Sequence, residues 1–155
     1  SVTLDVAYGW NNIDKEMEIL PELKTLKREL SPLLENTVGI THHDRLPHQE
    51  IADLYKESMV LAYASEFGET NNISSQKAQA AGCYVITTRQ AGGTPERLKF
   101  GEAIPYDNIY TSEKAQEFYA KRVIEYLKNP KDAPEGLVEG FSWQSTAKTW
   151  KEGLL

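Results

Sequence analysis

The chain predicts an α/β domain with a Rossmann-like parallel sheet flanked by helices, and two observations carry that expectation. Short apolar runs recur, among them Met59-Val-Leu-Ala-Tyr63 and Cys83-Tyr-Val-Ile-Thr-Thr88, which are β-branched or aromatic and free of charge. Runs of that kind are strands buried on both faces of a parallel sheet. Between them lie segments with helical apolar spacing or with cap and stop residues, so strand and helix alternate along the chain. Neither Gly-x-Gly-x-x-Gly nor a Gly-Lys-Ser/Thr phosphate loop occurs, which moves dinucleotide oxidoreductases and P-loop enzymes down the list within this class.

Val2–Tyr8 is β-rich and is broken by Gly9-Trp10-Asn-Asn12, so it reads as a strand followed by a loop. Leu23, Leu26, Leu30 and Leu33 then recur at helical spacing, with Glu22 early and Lys24, Lys27 and Arg28 later, an amphipathic helix whose charges suit its dipole. Ser31-Pro32 marks its end, there or shortly after. Thr37–Thr41 is the next strand. The following His42-His-Asp-Arg-Leu-Pro-His48 brings three imidazoles together, but adjacent residues on an extended backbone point to opposite sides and no cysteine stands nearby, which disfavours a metal site. Pro47 can begin a helix with Ile51, Leu54 and Tyr55 on its apolar face.

The segment from Ala64 to Gly82 is the one around which the chain is organised. Its polar turn holds Glu66, Glu69, Thr70, Asn71 and Asn72, and the last three can cap a helix beginning near Ile73. The helix carries Ala78, Ala80 and Ala81, small enough to lie close to a sheet, and stops at Gly82. A polarised helix start at the carboxyl end of a strand is where open α/β sheets bind anions and nucleotides. After Thr88, Gly92-Gly93 permits a close backbone approach to a ligand, and Thr94-Pro95 supplies a cap and first residue for a short helix. Glu102–Tyr106 is the last strand, placed at a sheet edge by Pro105. A helix striped with Ala115, Phe118, Tyr119, Val123, Tyr126 and Leu127 ends at Asn129-Pro130, and Ser142 caps a final helix bearing Trp143, Ala147, Trp150 and Leu154 on one face.

At 155 residues the chain is read as one domain, 1–155, large enough to bury a core without disulfides. A net charge of −6 argues against a nucleic-acid backbone as partner, which calls for a clustered basic face. No apolar run approaches the roughly 18–20 residues of a membrane span. The single cysteine, Cys83, forms no internal disulfide and fits a reducing, cytoplasmic compartment.

Glu69-Thr-Asn-Asn-Ile-Ser-Ser-Gln-Lys-Ala-Gln-Ala-Ala-Gly82, followed by Val85-Ile-Thr-Thr88 and Gly92-Gly-Thr-Pro-Glu96, resembles the donor-binding half of the retaining group-1 glycosyltransferases of the GT-B fold. The likeness extends from about Leu4 to Phe141-Ser-Trp143. It implies that Glu69 orients the sugar of a nucleotide-diphosphate donor and is the catalytic-site acid. It further implies that the N–H groups of Asn71, Asn72 and Ile73 face the diphosphate or the sugar, with Thr70 and Asn71 adding side-chain contacts. Gly92 and Gly93 would wall the same crevice, and Arg45 would reach the base or a phosphate unless it is an ordinary solvated arginine. No metal or other cofactor is expected beyond the nucleotide sugar as donor substrate.

The pattern departs from the family in three places. Lys77 stands where the family carries a second acidic residue for the ribose, and a lysine accepts no hydrogen bond, although it can approach a phosphate. Val2–Tyr8 is more like the family's second strand than its first, so the unit that brings the diphosphate-binding Arg and Lys is expected to be absent, or Lys15 is that lysine. The N-terminal acceptor domain is likewise expected to belong to a longer two-domain enzyme, so this part alone should not turn over. Two other readings stay open: a non-catalytic binding or interaction module of the same build, and an unrelated α/β nucleotide-binding regulator. Ladder edges exposed by a missing strand would favour a homodimer.

Overall fold

The structure is a computed structural model and describes residues 2–7, 21–89, 93–137 and 139–153 of the chain. The expectations resting on Gly9, Trp10, Lys15, Gly92 and Leu154, and on the side chains of Trp143 and Trp150, lie outside the described residues. The fold is α/β, every strand pair among the described residues is parallel, and the chain divides into two compact units, Ser1–Ile51 and Ala52–Leu155.

In the first unit, strand β1 (Leu4–Val6), helix α1 (Pro21–Asn36) and strand β2 (Ile40–His42) form a two-stranded sheet in which Leu4 faces Ile40 and Val6 faces His42. The ladder is lengthened by Leu4 N–H donating to Gly39 at 2.8 Å and by His43 N–H donating to Val6 at 2.9 Å. Helix α1 does not stop at Pro32 but runs four residues beyond it, to Asn36. A proline removes one N–H and does not prevent the next turn from closing, and Thr37 N–H still donates to Leu33 at 3.2 Å. Its leucine stripe is only partly covered, with Leu33 58% exposed, and no described residue of this unit is buried. The second of the adjacent histidines is accounted for by a 2.7 Å contact from His43 Nε2 to Asp5. Helix α2 (His48–Glu57) carries the chain into the second unit.

The second unit has the sheet order β3 (Val60–Tyr63), β4 (Tyr84–Thr88), β5 (Gly101–Ile104), all parallel, with Tyr63 opposite Thr87 and Thr88 opposite Ile104. Helix α3 (Ile73–Ala80) connects β3 to β4, the 3-10 turn Pro95–Arg97 precedes β5, and helices α4 (Glu113–Lys128) and α5 (Trp143–Gly153) follow, with a second 3-10 turn, Glu139–Phe141, between them. All five residues of β4 are buried, as a central strand requires. Strand β3 was expected to be buried on both faces and is not: none of its residues is fully buried and Ala62 is exposed. Its composition is that of a central strand, yet among the described residues it pairs with one neighbour, β4, and its outer side is partly open.

The core alternates across β4 with the two-residue period of a strand. Tyr84 and Ile86 pack with Phe100, Ile104, Ala115, Tyr119 and Tyr126 on the α4 side, where the Tyr84 and Tyr126 rings stack at 4.1 Å. Cys83 and Val85 pack with Ala78 on the α3 side. Burial pushes the Cys83 thiol up to about 11, so it behaves as a small apolar group whose S–H meets the Tyr55 carbonyl at 2.9 Å. Both ends of α3 close by local chemistry. Asn72 Oδ1 accepts Ser75 N–H at 2.7 Å, and Gly82, at φ +94°, lets Cys83 N–H return to Ala78 at 2.9 Å.

Gln79, fully buried in α3, joins that helix to the start of β5. Its Oε1 accepts the backbone N–H groups of Lys99 at 2.8 Å and Phe100 at 3.0 Å, and its Nε2 donates to Ser75 at 3.3 Å. Replacing Gln79 by Ala leaves two backbone donors without an acceptor, at about 1–3 kcal/mol for each that is truly buried. Urea unfolding of Gln79→Ala is therefore expected to show a loss of about 2–4 kcal/mol. A loss below about 0.5 kcal/mol would mean that the glutamine is not the link between helix and strand.

Candidate functional site

The loops that leave the carboxyl ends of β3, β4 and β5 form one rim of the second unit, the edge at which parallel α/β sheets hold ligands. The first loop begins at Ala64. Ser65 is buried, its Oγ accepts Phe67 N–H at 3.1 Å, and its carbonyl accepts the hydroxyl of Thr88. A side chain at the end of β4 therefore ties down the loop that leaves β3.

Glu69 is fixed twice. Its carbonyl accepts Gly93 N–H at 2.6 Å, which draws the loop after β4 against the loop after β3. A Cβ at position 93 would stand 2.6 Å from the Thr70 carbonyl oxygen, so the approach requires glycine. The close contact expected of this glycine pair with a ligand is, at Gly93, a contact with the chain's own backbone. On the side-chain end, Oε1 of Glu69 accepts the Tyr63 hydroxyl and, at 3.2 Å, the Asn72 Nδ2. Asn72, 3% exposed, thus caps α3 with its oxygen and holds Glu69 with its nitrogen. Burial first, and the Glu69 carboxylate second, raise the Tyr63 phenol above its ordinary range, so it remains a donor at neutral pH. Glu69 is half-buried and its Oε2 accepts no hydrogen bond among the described residues. The outcome is a carboxylate with one oxygen saturated by two donors and the other available.

Around this centre the predicted residues fall as follows. Thr70 and Asn71 are exposed beside Glu69, and Asn71 Oδ1 accepts the Gln76 side-chain amide. Ile73 opens α3 with a 59% exposed side chain, and Lys77 is exposed further along the same helix. Gly93 joins the cluster. Arg45 is exposed in the first unit, after β2 and next to Asp44, whose φ is +56°. Thr94, predicted to cap the short helix, makes no cap bond; it is 1% exposed and its hydroxyl has no partner among the described residues. Glu66, named above only as part of the polar turn, has a structural task, since it accepts Tyr110 N–H at 2.6 Å and so fastens the loop after β5.

Two participants escaped the sequence reading. Tyr63 was counted as an apolar strand residue, although a phenol at the last position of a strand with a carboxylate six residues on is a signal in hindsight. Arg89 was passed over at the end of β4. Its guanidinium grips Asp107 with Nε at 2.9 Å and Nη2 at 2.6 Å. The hydrogen bonds from Arg89 hold the Asp107 carboxyl below the usual carboxylate range, so the pair is ionised at neutral pH.

Among the described residues no cluster of three or more His, Cys, Asp or Glu stands where it can hold a metal ion, and no helix is long and apolar enough to cross a membrane. Comparison of the chain with protein-family models, with curated proteins and with solved structures finds no match.

The Gly93 contact gives a direct test of this construction. Gly93→Ala must displace the Thr70 carbonyl and is expected to cost about 1–3 kcal/mol in unfolding free energy. Gly68→Ala, a few residues away with nothing within 4 Å of its added methyl, is expected to stay within about 0.5 kcal/mol of the parent. Equal effects of the two substitutions would contradict the close apposition of the two loops.

Proposed function

We propose that this chain is the donor-binding part of a retaining glycosyltransferase, with Glu69 accepting hydroxyls of the sugar of a nucleotide-diphosphate donor. The observation that carries the reading is the half-satisfied Glu69 carboxylate on the rim. One oxygen is fixed by Tyr63 and Asn72, and the other accepts no hydrogen bond among the described residues. A carboxylate held in this way loses little freedom when it accepts a hydroxyl, and a hydrogen bond to a charged acceptor contributes about 1.5–3 kcal/mol.

The strand pairing supports the same reading. Within each unit the strands pair in parallel, β1 with β2 and β3–β4–β5, as the strands of a doubly wound sheet do. Asn72 caps α3 at its first turn, which turns the free N–H groups of Asn71, Asn72 and Ile73 into candidates for the diphosphate. In glycosyl transfer the departing diphosphate gains charge while the sugar becomes cationic, and fixed dipoles meet that change without reorganising. Thr70 and Asn71, exposed beside Glu69, extend the polar surface, and Lys77 supplies a point charge rather than a ribose acceptor. The acceptor would be placed by a further domain of a longer enzyme. The unpaired Cys83 suits a cytoplasmic setting.

Calorimetric titration of nucleoside diphosphates and nucleotide sugars into the chain tests the reading. Millimolar or tighter binding of one nucleotide sugar is expected, weakened about tenfold or more in Glu69→Ala, as loss of one charged hydrogen bond implies. Binding that ignores Glu69→Ala would favour an interaction module of the same build, and silence across the panel would overturn the assignment.

A further inference from the structure

A diphosphate brings negative charge to the rim, and the rim is acidic. The loops 64–72, 89–94 and 105–112 contain three carboxylates, Glu66, Glu69 and Asp107, and a single basic residue, Arg89. Glu66 is engaged with Tyr110 N–H and Glu69 with Tyr63 and Asn72. Arg89 follows directly on Thr88, which is fastened to the Ser65 carbonyl, so its backbone is set by the same tie that positions the Glu69 loop. Its guanidinium lies at the surface, with 61% of the side chain exposed, and its partner Asp107 is 42% exposed.

We infer that Arg89 is the anion-binding residue of this rim, held in readiness by Asp107 and transferred from that carboxylate to the diphosphate of the ligand. The inference rests on the donor-site reading above and supplies the cation that the acidic loops otherwise lack. Geometry and solvent both favour an exchange of partners. The planar fork that meets two carboxylate oxygens meets two phosphate oxygens equally well. An exposed ion pair is screened by water and holds its partners weakly, so a doubly charged ligand competes effectively with one carboxylate. Asp107 then has a defined task. It keeps the arginine extended along the rim while the site is empty, and it lowers apparent affinity by occupying the fork.

That account sets opposite signs for the two members of the pair. Binding of nucleoside diphosphates, the matching free nucleosides and inorganic pyrophosphate is measured by calorimetry on the parent chain and on Arg89→Gln, Arg89→Lys and Asp107→Asn, with thermal unfolding recorded for each. Asp107→Asn is expected to tighten nucleoside-diphosphate binding about threefold or more, because it frees the fork. Arg89→Gln is expected to weaken it about tenfold and to flatten its salt dependence, Arg89→Lys to fall between, and the free nucleosides to bind all four proteins alike. If both substitutions weaken binding equally, or neither changes it, the pair is a structural tie and the inference is overturned.

The outcome also separates this inference from the reading beneath it. Nucleotide-sugar binding that needs Glu69 and ignores Arg89 keeps the donor site and removes Arg89 from it. Pyrophosphate binding that needs Arg89 while nucleotide sugars are indifferent to Glu69→Ala keeps the anion site and removes the sugar donor.

Discussion

The hydrogen bond from Gly93 N–H to the Glu69 carbonyl is the contact on which the rest of the site depends. It joins the loops leaving two neighbouring parallel strands, and it forms only because position 93 has no side chain to strike the Thr70 carbonyl. Once the Glu69 backbone is fixed there, its carboxylate falls within reach of Tyr63 at the end of β3 and of Asn72 at the start of α3. A strand end, a loop and a helix cap thereby converge on one oxygen atom. A second bond, from the Thr88 hydroxyl to Ser65, closes the same two loops nearer the sheet.

The scaffold behind this rim is rigid for reasons that can be traced to composition. Strand β4 buries all five residues, and the helices on its two faces use different means to stay in place. Helix α4 contributes aromatic mass, with Tyr126 stacked on Tyr84 and the Tyr119 hydroxyl donating to the Ile86 carbonyl at 2.7 Å. Helix α3 is too short and too alanine-rich to bury much area, so it is fastened by polar groups instead: Asn72 at its start and Gln79 at its end. A buried polar side chain with all its groups matched is worth keeping because leaving any of them unmatched is costly. That polar fastening sets where the first turn of α3 lies, and with it the position of the Glu69 neighbourhood.

Much of this was legible in the sequence, and what was legible is local. The alternation of apolar runs with capped helices gave the α/β class; Asn72 and Gly82 marked the ends of α3, since an Asx cap and a left-handed glycine act within a few residues of themselves. Long-range facts were not available from the same signals. Whether Met59–Tyr63 is central or outer depends on which strands flank it, not on its composition, so its expected burial failed. The tasks of Glu66 and Arg89 depend on partners 44 and 18 residues away. Thr94 shows the limits of single-residue rules: a threonine before a proline was buried rather than capping. Gly93 did mark a close backbone approach, and the sequence could not tell that the approached group would be the chain itself.

The central claim is that Tyr63 and Glu69 act as a coupled pair that leaves one carboxylate oxygen free. It is tested most directly by a double-mutant cycle on folding stability with Tyr63→Phe, Glu69→Gln and the combination. Bonded neighbours share an interaction energy of about 0.5–3 kcal/mol, so the double substitution should cost less than the two single losses together by an amount in that range. Strict additivity, within about 0.3 kcal/mol, would show that the phenol does not hold the carboxylate and would remove the physical basis of the site.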